Sequence, residues 1–211
     1  MFVLHHSPDS AATIVRLVLE ELGLPHEVRA IDRAGGALNS PAYRAMNPLG
    51  QIPALETPQG PMFETAAILL FLADGSALAP THNDPARGQF LKWLFFVSTN
   101  VHPTALALFY PERSAGAENV AAVVAHARAR LTDLLAILEG VAAERPAYLS
   151  DSQPTLLGYY IAIVLRWIAD DFPAAQYPAL HRVLSYLETR PAAQSVARAE
   201  NLGPRPFTQS T

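Results

Sequence analysis

The chain has 211 residues, of which 50% are hydrophobic and 16% are charged. This length allows one ordinary domain or two small ones, and this composition excludes a chain that is disordered throughout. The net charge is −4 and the only lysine is Lys92, so a nucleic-acid-binding module with a basic stripe is disfavoured. Cysteine is absent, which excludes disulfides, thiolate metal sites and a cysteine nucleophile.

No segment has the pattern of a targeting signal or a membrane span. The N-terminal run 1–6 lacks a basic region followed by an apolar one, so we expect no secretory signal. The longest apolar run, 156–169, is interrupted by Arg166 and is too short for a bilayer, which predicts a buried core helix. We therefore expect a cytoplasmic protein that binds neither membranes nor nucleic acid.

The first 75 residues alternate strand and helix patterns, which predicts a small mixed sheet with helices packed on it. Strands are predicted at 2–5, 26–31, 52–56 and 61–63, and helices from 10 to 22, from 39 to 47 and from 65 to 74. Ser10 is a good N-cap for the first helix, and Gly23 a good stop signal. Pro53 conflicts with a strand interior, because proline cannot donate to a ladder, and it indicates an unusual, cis-type peptide bond.

The rest of the chain reads as a helical bundle. A polar, proline-containing linker is predicted at 76–84. Helical periodicity follows at 85–109, 118–141, 155–169, 178–189 and 191–200. The predicted division is an α/β domain over 1–75, an all-α domain over 85–202, and a loose tail over 203–211.

Two short motifs resemble the glutathione-site signature of the glutathione transferase superfamily. They are Asn-Pro-Leu-Gly-Gln-Ile-Pro-Ala-Leu at 47–55 and Phe-Glu-Thr-Ala-Ala-Ile at 63–68, although that family more often has serine at position 65. In the helical half, 93–103, 165–167 and 190–191 are similar to the bacterial beta class. The resemblance covers the chain up to its tail. It implies a thioredoxin-like N-terminal domain, an all-helical C-terminal domain, a homodimer, and conjugation of glutathione to small hydrophobic electrophiles.

The same motifs suit glutathione on physical grounds. Glu64 can pair with the ligand's amine, and Thr65 with the first N–H groups of its helix suits a carboxylate. The backbone of Ile52, just before Pro53, can hold the cysteinyl part as an added strand. The resemblance gives these four residues the same roles and places Gln51 near the γ-glutamyl end. The alternatives are that Pro53 only shapes the turn and that Glu64 only favours its helix.

Beta-class members have a basic residue in the loop after the second strand, and this chain departs from that pattern, because it has no basic residue in register there. Gly35 and Gly36 occupy that region, and Arg33 is the nearest substitute.

The glutathione thiol must be activated, since an ordinary thiol with a pKa of about 8.5 is only about 3% ionised at pH 7. One charge-assisted hydrogen bond near a helix N-terminus is enough to lower that pKa by about two units. The beta-class cysteine aligns with Ala11 or, shifted by one residue, with Ser10. We expect the donor to be Ser10, then Ser7, then His6. A helix cap, a loop residue and a wall of the site are their respective alternatives.

Other residues are assigned by position. His102 lies where the beta class places a histidine facing the thiol, which allows a hydrogen bond or partial positive charge there; a purely structural role is the alternative. Asp9 should point away from the sulfur or cap the first helix, because its charge would raise the thiol pKa. Arg166 is predicted to form an internal ion pair. Aromatic residues expected in the cleft or a dimer contact, with a place in the core as the alternative, are Phe95, Phe96, Phe109 and Tyr110.

Three functions remain open. The first is a glutathione transferase that uses glutathione as cosubstrate. No metal is expected, since the side chains of the adjacent His5 and His6 would face opposite sides of a strand and could not share one ion. The second is a related binding or regulatory protein with little catalysis. The third is a glutathione-dependent isomerase or dehalogenase. Mixed-disulfide chemistry through a protein cysteine is excluded.

Overall fold

The computed structural model describes residues 1–209, and its N-terminal part is built on a mixed four-stranded sheet. The strands are β1 (Phe2–His6), β2 (His26–Ala30), β3 (Ala54–Thr57) and β4 (Gly60–Met62), in the order β2-β1-β3-β4. β1 is parallel to β2 and antiparallel to β3, and β3 forms an antiparallel hairpin with β4. The predicted mixed sheet is confirmed.

Three helices accompany this sheet: α1 (Ala11–Glu21), α2 (Pro41–Met46) and α3 (Thr65–Ala73). Ser10 is the N-cap of α1, as predicted, and forms a capping box with Thr13. The apolar face of α1 is fully buried through Ile14 and Leu17. It packs against α3, and the inward-facing residues of β1 and β3 complete this core.

The remaining described elements are helical, which confirms the α/β-then-all-α fold class. The α-helices of this part are α4 (Arg87–Phe96), α5 (His102–Phe109), α6 (Glu112–Ala115), α7 (Val120–Ala143), α8 (Leu156–Trp167), α9 (Pro178–Glu188) and α10 (Pro191–Glu200). α8 is the central helix, and all ten residues from Leu156 to Leu165 are buried. Among residues 1–209, none of the helices combines the length and apolar character needed to cross a bilayer.

The single helix predicted over 85–109 is interrupted by a π-helical turn at Val97–Val101. Pro103 explains the interruption, because its ring has no N–H and clashes with the preceding turn. The helical turn just before Pro103 is wider than an α-helical turn, so that the His102 N–H donates to Val97 O, five residues back. This turn places both Ser98 and His102 on the wall of the cavity described below.

The prediction of a loose tail over 203–211 is wrong for the part that the structure describes. Phe207 is only 1% exposed and packs edge-on against Tyr159 of α8. The Glu188 carboxylate accepts hydrogen bonds from the N–H groups of Phe207 (2.7 Å) and Thr208 (2.6 Å). A single apolar residue among polar ones has no periodicity to detect, which is why the pattern suggested a loose segment. Positions 210 and 211 of that prediction lie outside the described residues.

Candidate active site

A cavity of about 540 Å³ opens between the sheet and the helical bundle. It is walled by the β1–α1 loop, the segment before β3, the start of α3, the α5–α6 region and the end of α8. Of the ten residues predicted to act in catalysis or glutathione binding, eight line it: Ser10, Arg33, Gln51, Ile52, Pro53, Glu64, Thr65 and His102. Ser7 and His6 are not among the lining residues.

The segment before β3 presents unpaired backbone to the cavity. The Ile52–Pro53 peptide bond is cis, as predicted, and β3 begins at Ala54 rather than at Ile52. The carbonyl of Gln51 is fixed by hydrogen bonds from the Tyr43 hydroxyl (2.9 Å) and Asn47 Nδ2 (2.7 Å). The Ile52 N–H and C=O make no backbone hydrogen bond within residues 1–209. They are therefore free to pair with an extended ligand.

The start of α3 offers both charges that a zwitterionic ligand needs. Glu64 precedes α3 with a φ of 72°, a conformation uncommon for a residue with a side chain. Its carboxylate is exposed and caps no helix N–H. Thr65 is buried at the first helical position, where the unpaired N–H groups and the helix dipole favour an anion. An amine and a neighbouring carboxylate of one ligand can thus be held side by side.

The Ser10 hydroxyl is engaged in local hydrogen bonds. It donates to Ser7 O at 2.6 Å and accepts from the Ala12 N–H at 3.2 Å. Its only proton is therefore directed at a carbonyl, and donation to a bound sulfur requires the hydroxyl to turn toward the cavity. Ser7 contributes to the site only as the acceptor of this bond.

Asp9 lies on the cavity wall, and the N-cap of α1 is Ser10, so the expectation that Asp9 caps α1 is wrong. Arg166 holds it there, since Nε lies 3.1 Å from both carboxylate oxygens and Nη2 lies 3.0 Å from Oδ2. The predicted internal ion pair of Arg166 is thereby confirmed. Because the guanidinium offsets the charge of Asp9, this carboxylate can stand near a thiolate at a smaller electrostatic cost.

Glu200, at the end of α10, also holds the β1–α1 loop in place through hydrogen bonds. No sequence pattern indicated this role. The fully buried carboxylate of Glu200 lies 2.7 Å from His6 Nε2 and accepts from the Asp9 N–H at 3.0 Å and from Thr13 Oγ1 at 2.7 Å. Burial acts to raise the pKa of Glu200, but the hydrogen bonds from these groups keep that pKa below its usual value. His6 is thus committed to Glu200 and supports the loop indirectly.

His102 faces the cavity from the helical side within an aromatic cluster. Its Nδ1 lies 2.9 Å from the Tyr160 hydroxyl, and its ring packs against Trp167 with centroids 5.2 Å apart. Burial lowers the pKa of His102 to about 4, so the ring is neutral at pH 7. Of the two roles expected for it, hydrogen bonding remains and a partial positive charge does not.

Tyr160 is a further cavity residue that the sequence did not single out. Burial raises the pKa of its phenol, and a hydrogen bond with Ser98 acts in the opposite direction. The phenol is therefore un-ionised at pH 7 and has a proton to donate. Its position one residue after the similar Tyr159, in a helix that is apolar apart from Arg166 near its end, gave no signal that it faced a cavity.

The outer part of the cavity combines apolar and cationic residues. Phe109 and Tyr110 line it, as expected, whereas Phe95 and Phe96 do not. Arg33 reaches across from the sheet region, and its Nη2 donates to the Tyr110 hydroxyl at 3.2 Å. The guanidinium of Arg113 lies over the Tyr110 ring, 3.9 Å from its centroid. Within residues 1–209 no group of three or more histidine, aspartate or glutamate side chains is placed to hold a metal ion.

Known proteins match both halves of this architecture. Residues 10–74 match the family model described as "Glutathione S-transferase, N-terminal domain". The chain is 32% identical over 207 residues to "Glutathione S-transferase 3" of Zea mays, covering 93% of this chain and 92% of the maize protein. It is also 32% identical over 109 residues to "Glutathione S-transferase GST-4.5" of Xanthomonas campestris, a match that spans about half of each chain.

A solved structure of a related protein has the same fold as this chain. A sphingomonad glutathione S-transferase complexed with glutathione superimposes with a TM-score of 0.78 at 28% identity, covering 95% of this chain and all of that one. The thioredoxin-like N-terminal region and the all-helical C-terminal region are therefore those of this fold. With the maize protein matched over nearly its whole length, the chain belongs to the glutathione S-transferase family.

Proposed function

We propose that the protein conjugates reduced glutathione to small electrophiles with an apolar body, by stabilising the glutathione thiolate in the cavity. The observation that carries this proposal is the convergence of the unpaired Ile52 backbone, the Glu64 carboxylate and the N-terminus of α3 on one cavity. Together these groups complement an extended peptide with a free amine and an adjacent carboxylate. We further propose that the chain is nearest to the bacterial beta class, although it lacks that class's cysteine.

The proposed glutathione pose follows from the groups available. The cysteinyl unit pairs with Ile52 beside Pro53, and the γ-glutamyl end lies between Glu64 and Thr65. Gln51, whose side chain has no hydrogen-bond partner within residues 1–209, lies beside that end. Arg33 is the cation available to the other end of the peptide.

Two groups are proposed to stabilise the sulfur. Ser10 stands at the N-terminus of α1 and donates after its hydroxyl turns away from Ser7 O. We assign the Tyr160 hydroxyl as the donor to Nδ1 of His102, which leaves the ring proton on Nε2 and lets His102 donate from that nitrogen. A hydrogen bond to a charged acceptor contributes about 1.5–3 kcal/mol, and the start of α1 about 0.3–1 kcal/mol. Lowering a thiol pKa by two units takes about 2.7 kcal/mol.

The test is the ultraviolet thiolate absorbance of bound glutathione as a function of pH. We expect a pKa clearly below the ordinary thiol value of about 8.5 in the wild type, and a higher one in Ser10→Ala. Ser10→Thr is the matched control, since it keeps both the hydroxyl and the helix cap. If wild-type glutathione binds with no lowering of its thiol pKa, the proposed mechanism fails.

That outcome would instead favour a glutathione-binding or regulatory protein with little catalysis. The observation that favours this alternative is that the Ser10 hydroxyl already donates its proton to Ser7 O. A glutathione-dependent isomerase or dehalogenase is distinguished by its stoichiometry. Isomerisation leaves the total of free glutathione unchanged, whereas reductive dehalogenation converts two glutathione molecules into one glutathione disulfide and releases halide.

A homodimer and a cytoplasmic location are proposed with the activity. The exposed aromatic residues Phe71 on α3 and Phe95 on α4, at 38% and 51% exposure, are candidates for a subunit contact. Sedimentation equilibrium of the wild type and of Phe95→Ser tests this, and a monomeric wild type would contradict it.

A further inference from the structure

The outer rim of the cavity holds two arginines around one tyrosine. Arg33 and Arg113, together with Tyr110 between them, are here called the rim cluster. Arg33 comes from the loop after β2 and donates to the Tyr110 hydroxyl, whereas Arg113 comes from α6 and lies over the face of the same ring. One phenol thus positions two guanidinium groups from opposite sides of the cavity.

These two arginines have no counter-ion within residues 1–209. The third arginine of the cavity, Arg166, differs in this respect, because Asp9 and the carbonyls of Leu202 and Pro206 occupy its guanidinium. No carboxylate lies within 4.0 Å of either rim arginine in the part of the chain that the structure describes. Two like charges held near one ring repel each other, and a bound anion would relieve that repulsion.

The wall beside the rim cluster is apolar. Pro103, Leu106 and Phe109 line it from α5, with Phe109 48% exposed and Leu106 38% exposed. Large apolar side chains at such exposure inside a cavity are typical of a surface that a ligand covers. An apolar wall that ends at two unpaired cations complements a ligand with an apolar body and an acid group.

We propose that the rim cluster binds the acid group of the electrophile, so that the cosubstrate is an amphipathic carboxylic acid rather than a neutral hydrophobic compound. This rests on the proposed function, because the electrophile occupies the outer cavity only when glutathione occupies the inner part. Arg113 makes the principal contact, and Tyr110 holds its guanidinium in place. Arg33 is shared between the cluster and the far end of glutathione.

The reaction balances without a further reactant for an α,β-unsaturated ketone. The thiolate sulfur forms a bond to the β-carbon while the carbon–carbon π bond breaks, and its electrons pass to the enolate. The α-carbon then takes one proton from water. The hydroxide that this leaves is neutralised by the proton that the thiol released when it ionised. The carboxylate is a spectator that positions the molecule.

Ethacrynic acid and its methyl ester are the probes, since they share the reacting enone and differ only in a remote acid group. We expect the wild type to prefer the acid over the ester in kcat/KM, corrected for the uncatalysed rates, by roughly threefold to tenfold. In Arg113→Gln the acid-to-ester ratio should fall to about one. Arg198→Gln is the matched control, because it removes one exposed charge on α10 outside the cavity and should keep the wild-type ratio.

Glutathione's own carboxylate is the competing source of the same chemistry. If Arg113→Gln weakens glutathione binding and leaves the acid-to-ester ratio unchanged, the cluster serves glutathione and the proposal is wrong. A wild type without preference for the acid also overturns it.

Calorimetric binding of the preformed glutathione conjugates of both probes separates this proposal from the proposed function. If there is no turnover but the acid conjugate binds several-fold more tightly, and Arg113→Gln loses that difference, the rim cluster is an acid site and the transferase function fails. Equal affinities for the two conjugates would overturn the acid site, whatever the activity.

Discussion

Arg166 near the end of α8 grips Asp9 of the β1–α1 loop, with Nε 3.1 Å from both carboxylate oxygens and Nη2 3.0 Å from Oδ2. The two residues are separated by 157 positions in the chain. Since Asp9 precedes the cap of α1, and Arg166 lies in the core helix of the bundle, this ion pair connects the two halves of the protein at the wall of the cavity.

Asp9→Asn should destabilise the protein by about 1–3 kcal/mol. The substitution leaves the buried Arg166 guanidinium without its counter-charge, a large penalty in a fully buried pair that is reduced here because the Asp9 side chain is 36% exposed. Denaturant unfolding measures the loss. The control is Asp171→Asn, which breaks an exposed pair with Arg128 and should cost less than about 1 kcal/mol. Equal losses in the two variants would contradict the account.

The ring of His102 should titrate near pH 4 rather than near 6.5. Burial disfavours its charged form in the folded state, whereas the unfolded chain binds a proton below about pH 6.5. Between these two values the unfolded state holds more protons, so this residue makes stability fall as the pH is lowered from 6.5 to 4. His102→Asn should flatten that slope.

Proton NMR of the ring gives the titration directly, and denaturant unfolding between pH 4 and 7 gives the slope. Tyr160→Phe is an informative companion, because it removes the hydrogen bond to Nδ1 and keeps the burial. A His102 ring that titrates between pH 6 and 7 in the wild type would show that it carries partial positive charge in the cavity after all.

Phe207→Ala should destabilise the protein by about 3–5 kcal/mol, the usual cost of emptying a buried phenylalanine site. The side chain is 1% exposed and contacts Tyr159 of the central helix. Phe109→Ala, at a residue 48% exposed, is the matched control and should cost less than about 1 kcal/mol. If Phe207→Ala unfolds at the wild-type denaturant concentration, the tail is loose, as the sequence suggested.

Local patterns predicted the parts of the fold that local chemistry determines. The succession of strands and helices along the first 75 residues, the Ser10 cap and the cis bond before Pro53 all depend on residues within a few positions of one another. The segment proposed to bind glutathione could be identified for the same reason, because its unpaired backbone, Glu64 and the helix start lie within 14 residues of sequence.

The rest of the site depends on contacts between distant segments. Nothing near Asp9 in the sequence shows that Arg166 will neutralise it or that Glu200 will hold its N–H. The neutral state of His102 depends on burial by Tyr160 and Trp167, which only the packing of α8 determines. The π-helical turn before Pro103 follows a local rule, because proline disrupts the preceding turn of a helix. Which way Ser98 and His102 then face is set by tertiary structure.

The proposal that this cavity binds glutathione is tested most directly by a calorimetric titration with reduced glutathione, on the wild type and on Glu64→Ala. We predict a wild-type Kd of roughly 10 μM to 1 mM, which corresponds to about −7 to −4 kcal/mol, and at least a tenfold weakening in the variant. Glu144→Ala, which removes one exposed charge at the end of α7, should bind as the wild type does. No heat from the wild type at millimolar glutathione, together with an unchanged melting temperature, would contradict the assignment of this cavity to glutathione.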